Sequence, residues 1–388
     1  MRNPLSKTIQ DIKPSGIRKF FDIVSEMPEA ISLGVGEPDF DTPWHIREEG
    51  IYSLEKGKTF YTSNSGLMEL REEISAWYSR KYNVTYDAKS EILLTVGGSE
   101  GIDVALRAML DPGDEVIVPE PCYVSYVPCI QLTGGVPKII ELKNENEFRL
   151  TPQELLDAIT DKTKILILAF PSNPTGAIMT KEDLEPIAKI CQEKDIFVIS
   201  DEIYSELTYG NASHCSIASL PGMRERTIVI NGFSKAYAMT GWRLGYAMAP
   251  AVIAGQMTKI HQFAIMCAPT TSQYAAISAI KNGDEDIAKM RESYNQRRRY
   301  LLNEFKEMGL PCFEPRGAFY VFPCISKLGM TSEEFATKLL EEEKLAVVPG
   351  TAFGDCGEGF IRISYAYSLE ELKEAIGRIK AFVERHTN

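Results

Sequence analysis

The sequence has too little positive charge for a protein dedicated to nucleic acids or anionic membranes. Its 388 residues include 42 lysines and arginines against 54 aspartates and glutamates, a formal net charge of -12, whereas such binders carry a basic surface. It also lacks any run approaching the roughly 18 consecutive apolar residues of a membrane helix. We therefore expect neither nucleic acid nor membrane among its partners.

The cysteines and histidines are not spaced as they are in redox motifs or metal sites. The eight cysteines and four histidines are scattered, without a C-x-x-C pair or a metal-ligand spacing. The first 16 residues are polar and include Pro4 and Pro14, so they lack the apolar stretch of a secretory signal. These absences predict a reduced, cytoplasmic protein that holds no metal.

What the sequence does contain is an alternation of short β-branched runs and helical stretches, in a chain that is 44% apolar and 25% charged. Turn residues and then apolar residues at helical spacing follow each run, which predicts a buried, largely parallel sheet flanked by helices. The predicted strands are residues 92–96, 115–118, 165–170, 196–200 and 227–230.

Beyond about Gly283 the pattern changes to a long charged helix followed by short strands, which predicts a smaller α+β unit. The helix is predicted at 286–308, and the strands around 318–322, 346–348 and 360–364. Hydroxyl residues followed three positions later by an acid predict helix starts at Thr151, Thr180, Thr331 and Ser368.

A glycine-rich turn, Gly97-Gly98-Ser99-Glu100-Gly101, follows the first of these strands. Ligands of open parallel sheets bind beyond the carboxyl ends of the strands, and glycine amides at a helix start can bind an anion there. A tight turn without a ligand would use the same residues. The motif is neither a Walker loop nor a G-x-G-x-x-G fingerprint, so it does not support ATP or a dinucleotide.

Polar side chains follow the next strands. Asn173 lies in a turn that two prolines and a glycine fix, which holds its amide in place. Asp201 follows the strand 196–200, and burial of its carboxylate would be costly without a cationic partner. Tyr204 could share one side of a starting helix with Asp201. Plain turn and helix-cap roles remain open for Asn173 and Asp201.

A lysine follows the last strand of the predicted sheet. Lys235 has apolar neighbours, a setting that lowers the pKa of an amine and makes it nucleophilic, and Ser234 and Arg243 add anion-binding groups. A lysine that extends its amine to solvent is the alternative. Together the turns favour a ligand with a phosphate, a carbonyl for the amine and a ring atom that pairs with a carboxylate.

These motifs resemble those of class I/II aminotransferases of fold type I, which use pyridoxal 5'-phosphate, in the branch of aspartate, aromatic and N-acetyl-diaminopimelate enzymes. The similarity covers nearly the whole chain. Its motifs are SLGVGEPDF at 32–40, Tyr61, SNPTG at 172–176, SDEIY at 200–204, Ser234 with Lys235, GWR at 241–243 and RISY at 362–365.

The resemblance implies an α/β fold with a mostly parallel, seven-stranded sheet between helices in a large domain, and a smaller α+β domain. The expected boundaries are 1–43 for an amino-terminal arm with part of the small domain, 44–283 for the large domain and 284–388 for the carboxyl-terminal small domain.

The resemblance also assigns the residues around the cofactor ring. Lys235 would attach the cofactor covalently and move the substrate proton, and Asp201 would pair with the ring nitrogen. Tyr204 and Asn173 would hydrogen-bond the phenolic oxygen, and Tyr123 would stack on the ring.

The site must also bind two anionic groups, the phosphate of the cofactor and the carboxylate of the substrate. The resemblance assigns the cofactor phosphate to Gly98, Ser99, Glu100, Ser234 and Arg243, together with Tyr61 from a second copy of the chain. It assigns the substrate carboxylate to Gly36, Asn173 and Arg362. A homodimer with shared sites is therefore implied.

The implied reaction moves an amino group between an L-amino acid and a 2-oxo acid in two half-reactions, with 2-oxoglutarate as the usual acceptor. The alternatives are a carbon–sulfur β-lyase or racemase of the same fold, and a non-catalytic regulator. Arg18 is the candidate partner for an acidic substrate, whereas Ile17 and Tyr123 would contact an aromatic one. An acylated diamine would need a wider mouth.

Overall fold

The computed structural model describes residues 2–14, 27 and 29–387. Over these residues the chain forms the strands β1 (Ile31–Ser32), β2 (Ile92–Thr95), β3 (Glu115–Glu120), β4 (Val136–Glu141), β5 (Thr163–Ala169), β6 (Phe197–Asp201), β7 (Thr227–Gly232), β8 (Gly245–Met248), β9 (Tyr320–Val321), β10 (Leu345–Ala346), β11 (Val348–Pro349) and β12 (Ile361–Ser364).

The same residues form the helices α1 (Lys7–Asp11), α2 (Trp44–Glu55), α3 (Met68–Tyr82), α4 (Gly97–Met109), α5 (Tyr126–Leu132), α6 (Pro152–Ala158), α7 (Lys181–Glu193), α8 (Ala251–Ala264), α9 (Thr270–Asn282), α10 (Asp284–Glu307), α11 (Ser332–Glu343) and α12 (Leu369–His386). In the described part of the chain, none of these helices is long and apolar enough to cross a membrane.

Seven strands form one large sheet in the order β2-β8-β7-β6-β5-β3-β4. The neighbours from β7 to β4 run parallel, and β8 runs antiparallel to both β2 and β7. Every residue of β2 and β7 is buried, as in strands that are covered on both faces. The expectation of a largely parallel, seven-stranded sheet is confirmed.

The strand pattern did not predict β4 or β8. β4 pairs only with β3 at the edge of the sheet, and it contains Pro137 and Lys138, so it lacks the continuous apolar run of a buried strand. β8 is only four residues long and begins with Gly245. A Cβ at Gly245 would lie 2.6 Å from the amide nitrogen of Gly98, so glycine is required for this close approach.

The short strands belong to a smaller α+β arrangement, as expected. β11, β12 and β9 form an antiparallel sheet, and β1 pairs with β10 in parallel. Side chains of α10, α11 and α12, including Phe305, Phe335 and Phe382, share one apolar core with these strands. The predicted strand 346–348 is in fact divided between β10 and β11. The domain boundaries at 43 and 283 stay predictions.

The helix starts predicted from hydroxyl residues are confirmed. In each case the side-chain oxygen accepts a hydrogen bond from the backbone amide three residues on, which satisfies one of the free amides of the first turn. The four capping residues are Thr151, Thr180, Thr331 and Ser368.

Candidate active site

A cavity of about 500 Å³ opens at the carboxyl ends of β5, β6 and β7. Parallel strands bring these ends to one edge of the sheet, so residues distant in sequence meet there. Eleven of the thirteen residues that the sequence predicts for the site line the cavity: Gly36, Gly98, Ser99, Tyr123, Asn173, Asp201, Tyr204, Ser234, Lys235, Arg243 and Arg362.

Lys235 lies three residues beyond the end of β7 and places its amine in this cavity. Nζ donates a hydrogen bond to the carbonyl of Gly36 and lies 5.7 Å from the ring centroid of Phe319. Loss of hydration lowers the pKa of Lys235 to about 8, and the negative charge of Glu37 only partly opposes this shift. An amine with this pKa is partly uncharged near neutral pH, as a nucleophilic amine must be.

Asp201 is the last residue of β6, and its carboxylate is buried. The Tyr126 hydroxyl donates to Oδ2 at 2.8 Å, and the Ile203 amide donates to Oδ1 at 3.1 Å. Burial raises the pKa of Asp201 in spite of these two bonds. A carboxylate with a raised pKa is stabilised in its ionised form by a cation, so a protonated ring nitrogen beside Asp201 would be a favourable partner.

The residues after Asp201 form a turn, so the starting helix expected for Tyr204 is wrong. The bond between the Asp201 side chain and the Ile203 amide closes this turn locally, as aspartate commonly does. The turn nevertheless brings Tyr204 to the cavity, where its hydroxyl lies 2.8 Å from the hydroxyl of Tyr320.

The helix α4 begins at Gly97, and the amides of its first turn have no partner within the helix. Gly97 has a φ of 74°, and a Cβ there would lie 2.6 Å from Nη2 of Arg243. Arg243 has a φ of 52°, a left-handed conformation that is uncommon outside glycine and is concentrated at functional sites. The guanidinium and the free amides thus approach each other closely, as a phosphate site requires.

The guanidinium of Arg362 on β12 contacts two aromatic rings. The ring centroids of Tyr320 and Phe353 lie 4.6 Å and 4.7 Å from Cζ. Nη1 donates to Oδ1 of Asn173 at 2.8 Å, and Nη2 donates to the carbonyl of Gly34. The buried Nε has no hydrogen-bond partner among the described residues. A guanidinium fixed in this way is pre-organised for a carboxylate.

These groups fit pyridoxal 5'-phosphate and an amino acid. The amides of α4 and the guanidinium of Arg243 suit the phosphate, the Lys235 amine suits the aldehyde, and the buried Asp201 carboxylate suits a protonated ring nitrogen. The Arg362 guanidinium lines the same cavity and suits the carboxylate of an amino acid.

The model of the family described as aminotransferase class I and II matches residues 28–379. The chain belongs to this family. The aminotransferase therefore uses pyridoxal 5'-phosphate to transfer an amino group between an amino acid and a 2-oxo acid. The β-lyase alternative is not favoured, since the named relatives are aminotransferases.

The aminotransferase is 51% identical, over 387 residues and 100% of both chains, to a putative aminotransferase of Bacillus subtilis. It is 47% identical to an aspartate aminotransferase of Pyrococcus abyssi, over 97% of each chain. The crystal structure of an aromatic aminotransferase from Pyrococcus horikoshii matches it with a TM-score of 0.91 and 46% identity, over 95% of this chain and 99% of that one. All three are named as aminotransferases: the second name specifies aspartate, the third specifies aromatic amino acids, and the first specifies no amino acid.

Two predicted residues do not line the cavity of the aminotransferase. The Glu100 side chain accepts from the Val96 amide and lies 2.6 Å from Nδ1 of His261, so only its backbone amide could serve the phosphate site. Tyr61 is 80% exposed. The substrate candidates Ile17 and Arg18 lie outside the described residues.

Sequence reasoning missed two tyrosines of the site, Tyr126 and Tyr320. Tyr126 contacts Asp201, and its spacing of three residues from Tyr123 at the start of α5 was an available signal. Tyr320 contacts Tyr204 and Arg362. Nothing in the local sequence signals this role, because Arg362 lies on the neighbouring strand β12 and Tyr204 is 116 positions away in the chain.

Proposed function

We propose that Lys235 is the residue that binds the cofactor covalently and transfers the substrate proton. The observation that carries this proposal is the position of its amine in one cavity with the Asp201 carboxylate and the guanidinium groups of Arg243 and Arg362. When bound, pyridoxal 5'-phosphate supplies an electron-withdrawing ring that stabilises the negative charge left on the substrate Cα after deprotonation.

The geometry supports a proton-transfer role for Lys235. Its pKa of about 8 makes the uncharged amine accessible near neutral pH, so it can accept a proton and return it. The Gly36 carbonyl accepts a hydrogen bond from Nζ and orients the amine. The backbone amide of Gly36 also belongs to the proposed substrate site. A side chain at Gly36 would overlap the Tyr320 hydroxyl, so only glycine fits at this position.

Asp201 would hold the proton on the cofactor ring nitrogen. Its buried carboxylate favours a cationic neighbour, and Tyr126 orients it through the bond to Oδ2. Tyr204 and Asn173 would donate to the phenolic oxygen, and Tyr123 would stack on the ring face, since all three line the cavity.

The phosphate and the substrate carboxylate would be bound at opposite ends of the cavity. We assign the phosphate to the amides of Gly98, Ser99 and Glu100, with Ser234 and Arg243. We assign the carboxylate to Arg362, Asn173 and the Gly36 amide. The domains 44–283 and 284–388 with 1–43 would close on the substrate and exclude water.

The substrate side chain needs further partners. Lys235, Arg243 and Arg362 are the cationic side chains among the described residues that line the cavity, and each already has a proposed role. An acidic substrate would therefore depend on Arg18 or on a second copy of the chain. We propose 2-oxoglutarate as the amino acceptor.

A cytoplasmic homodimer is also proposed. The aromatic side chains of Phe60, Tyr61 and Phe263 are 82%, 80% and 84% exposed, an unusual exposure for residues of this kind. Thr270 donates to the Phe60 carbonyl at 2.8 Å, which connects the chain around Tyr61 to the start of α9. A second copy would cover these residues and receive Tyr61 at its phosphate site.

Borohydride reduction of the loaded enzyme, followed by peptide mass spectrometry, tests the central assignment. We expect a stable cofactor adduct on Lys235, and no adduct and almost no turnover in a folded Lys235→Ala variant. Assays with a panel of amino acids should release 2-oxo acids and form pyridoxamine phosphate. Full activity in Lys235→Ala, or pyruvate and thiol released from cystathionine as the main products, would refute the proposal.

A further inference from the structure

Glu202 directly follows Asp201 but does not line the cavity. Asp201 ends β6 and points into the cavity, whereas the Glu202 side chain is fully buried, with 0% exposure. Burial of a carboxylate is costly unless its oxygens are hydrogen-bonded or paired with a cation. Glu202 is thus a second buried acid beside Asp201, and its ionised form requires partners of its own.

Four groups from three parts of the fold surround the Glu202 carboxylate. Oε1 accepts from the hydroxyls of Ser200 at 2.9 Å and Ser216 at 2.7 Å. Oε2 accepts from the hydroxyl of Tyr78 on α3, and Nε2 of His214 lies 2.9 Å from the same oxygen. The His214 contact is close but does not meet the geometry of a hydrogen bond.

These contacts favour the ionised form of Glu202. Burial by itself would raise the pKa of the carboxyl group, but the charge of His214 and the bonds from Tyr78 and Ser216 outweigh it, and the pKa is lowered. The opposite holds for Asp201, where burial and then the neighbouring charge of Glu202 raise the pKa. A negative charge is thus retained directly behind Asp201.

We propose that Glu202 is a positioning residue for Asp201, whose retained buried charge strengthens the attraction between Asp201 and the protonated nitrogen of the cofactor ring. The inference rests on the proposed role of Asp201. Charges act over longer distances inside a protein than in water, because the effective dielectric constant is lower. Glu202 therefore needs no direct contact with the cofactor.

The chain offers a matched control at Glu206. Glu206 lies on the same segment, is also buried, and is also bound to the end of α3, through the Tyr82 hydroxyl at 2.7 Å and Lys81 Nζ at 2.9 Å. Its charge is balanced by Lys81. Unlike Glu202, Glu206 is not among the charges that act on the pKa of Asp201, so its loss should disturb the same packing without removing a charge that acts on Asp201.

The experiment compares Glu202→Gln, Glu206→Gln and Asp201→Asn with the wild-type protein. Two quantities are measured: the dissociation constant of pyridoxal 5'-phosphate from the apo-protein, and the ¹⁵N resonance of the ring nitrogen in labelled cofactor. We expect Glu202→Gln to weaken binding about tenfold, the effect of one pKa unit, and to move the resonance toward the unprotonated value. Glu206→Gln should bind within about twofold of wild type.

Each other outcome has a distinct meaning. Unchanged binding and resonance in Glu202→Gln, with clear changes in Asp201→Asn, would overturn this inference alone. Equal losses in Glu202→Gln and Glu206→Gln would show a packing effect and would also overturn it. Unchanged values in Asp201→Asn would instead overturn the proposed role of Asp201.

A measurement on the wild-type apo-protein covers the case in which Glu202→Gln does not fold. With ¹³C-labelled glutamate carboxyl groups, the Glu202 resonance is assigned by its shift in Ser216→Ala. We expect an ionised carboxylate at neutral pH. A protonated Glu202 at that pH would overturn the inference.

Discussion

The hydroxyl groups of Tyr204 and Tyr320 lie 2.8 Å apart, and the ring of Tyr320 covers the Arg362 guanidinium at 4.6 Å. One buried side chain of β9 thus contacts both the residue proposed for the phenolic oxygen and the residue proposed for the substrate carboxylate. Tyr320 therefore connects the proposed cofactor-binding residue Tyr204 with the proposed substrate-binding residue Arg362.

Replacement of Tyr320 by phenylalanine should separate these two contacts. Tyr320→Phe removes the hydroxyl bond, worth about 0.5–1.5 kcal/mol, and keeps the ring against Arg362. We expect kcat to fall roughly three- to tenfold with little change in KM. Tyr320→Ala, which also removes the ring, should raise KM for the amino acid because the guanidinium loses its cation–π contact. Equal effects of both variants on KM would contradict this division of roles.

Lys235 should make the apo-protein less stable than a neutral replacement would. Its pKa falls from 10.5 to about 8 on folding, so the unfolded chain binds more protons between these values and stability rises with pH there. At pH 7 the lowered pKa of Lys235 reduces the free energy of unfolding by about 3 kcal/mol, and at pH 9 this reduction is about 1 kcal/mol smaller. Lys235→Met should therefore raise the melting temperature of the apo-protein, and more so at pH 7 than at pH 9.

Thermal unfolding of the two apo-proteins at both pH values provides the measurement. Lys281→Met is a suitable control, since the ion pairs of Lys281 raise its pKa and lie at the surface. A stabilisation by Lys235→Met that does not depend on pH would mean that added apolar packing, not the removal of a buried charge, is its cause.

Asp201→Ala should reduce turnover while leaving covalent attachment at Lys235 possible. A hydrogen bond to a charged group contributes about 1.5–3 kcal/mol, so kcat should fall about 10- to 100-fold. Tyr126→Phe removes only the bond to Oδ2 and should have a smaller effect in the same direction. Steady-state rates at saturating substrate distinguish the variants, and an unchanged rate in Asp201→Ala would mean that the ring nitrogen faces another group.

The sequence predicted which residues meet in the cavity better than it predicted the details of the fold. Buried parallel strands require β-branched runs, and the residues after them must meet at one sheet edge, so Asn173, Asp201 and Lys235 could be grouped in advance. The edge strand β4 is partly exposed and lacks that signal. Tyr126 and Tyr320 are separated from their partners by 75 and 116 positions, and only tertiary packing brings them into contact.

The proposed homodimer gives a prediction about size and cofactor binding. Phe263 is 84% exposed on α8, so Phe263→Asp should place a charge in the contact and yield a monomer of 43.4 kDa, whereas the wild-type protein should have twice this mass. Light scattering after gel filtration measures both. Tyr61→Ala should keep the dimer but weaken cofactor binding about tenfold, the loss of one bond to a charged phosphate.

Mixed dimers decide whether Tyr61 acts within its own chain or across the contact. When Tyr61→Ala and Lys235→Ala subunits are combined, one site of the mixed dimer would contain Lys235 from the first subunit and Tyr61 from the second. If Tyr61 serves the partner, this site is intact, and part of the cofactor should bind with wild-type affinity and support turnover. If Tyr61 serves its own chain, no mixed dimer has an intact site and both properties remain impaired.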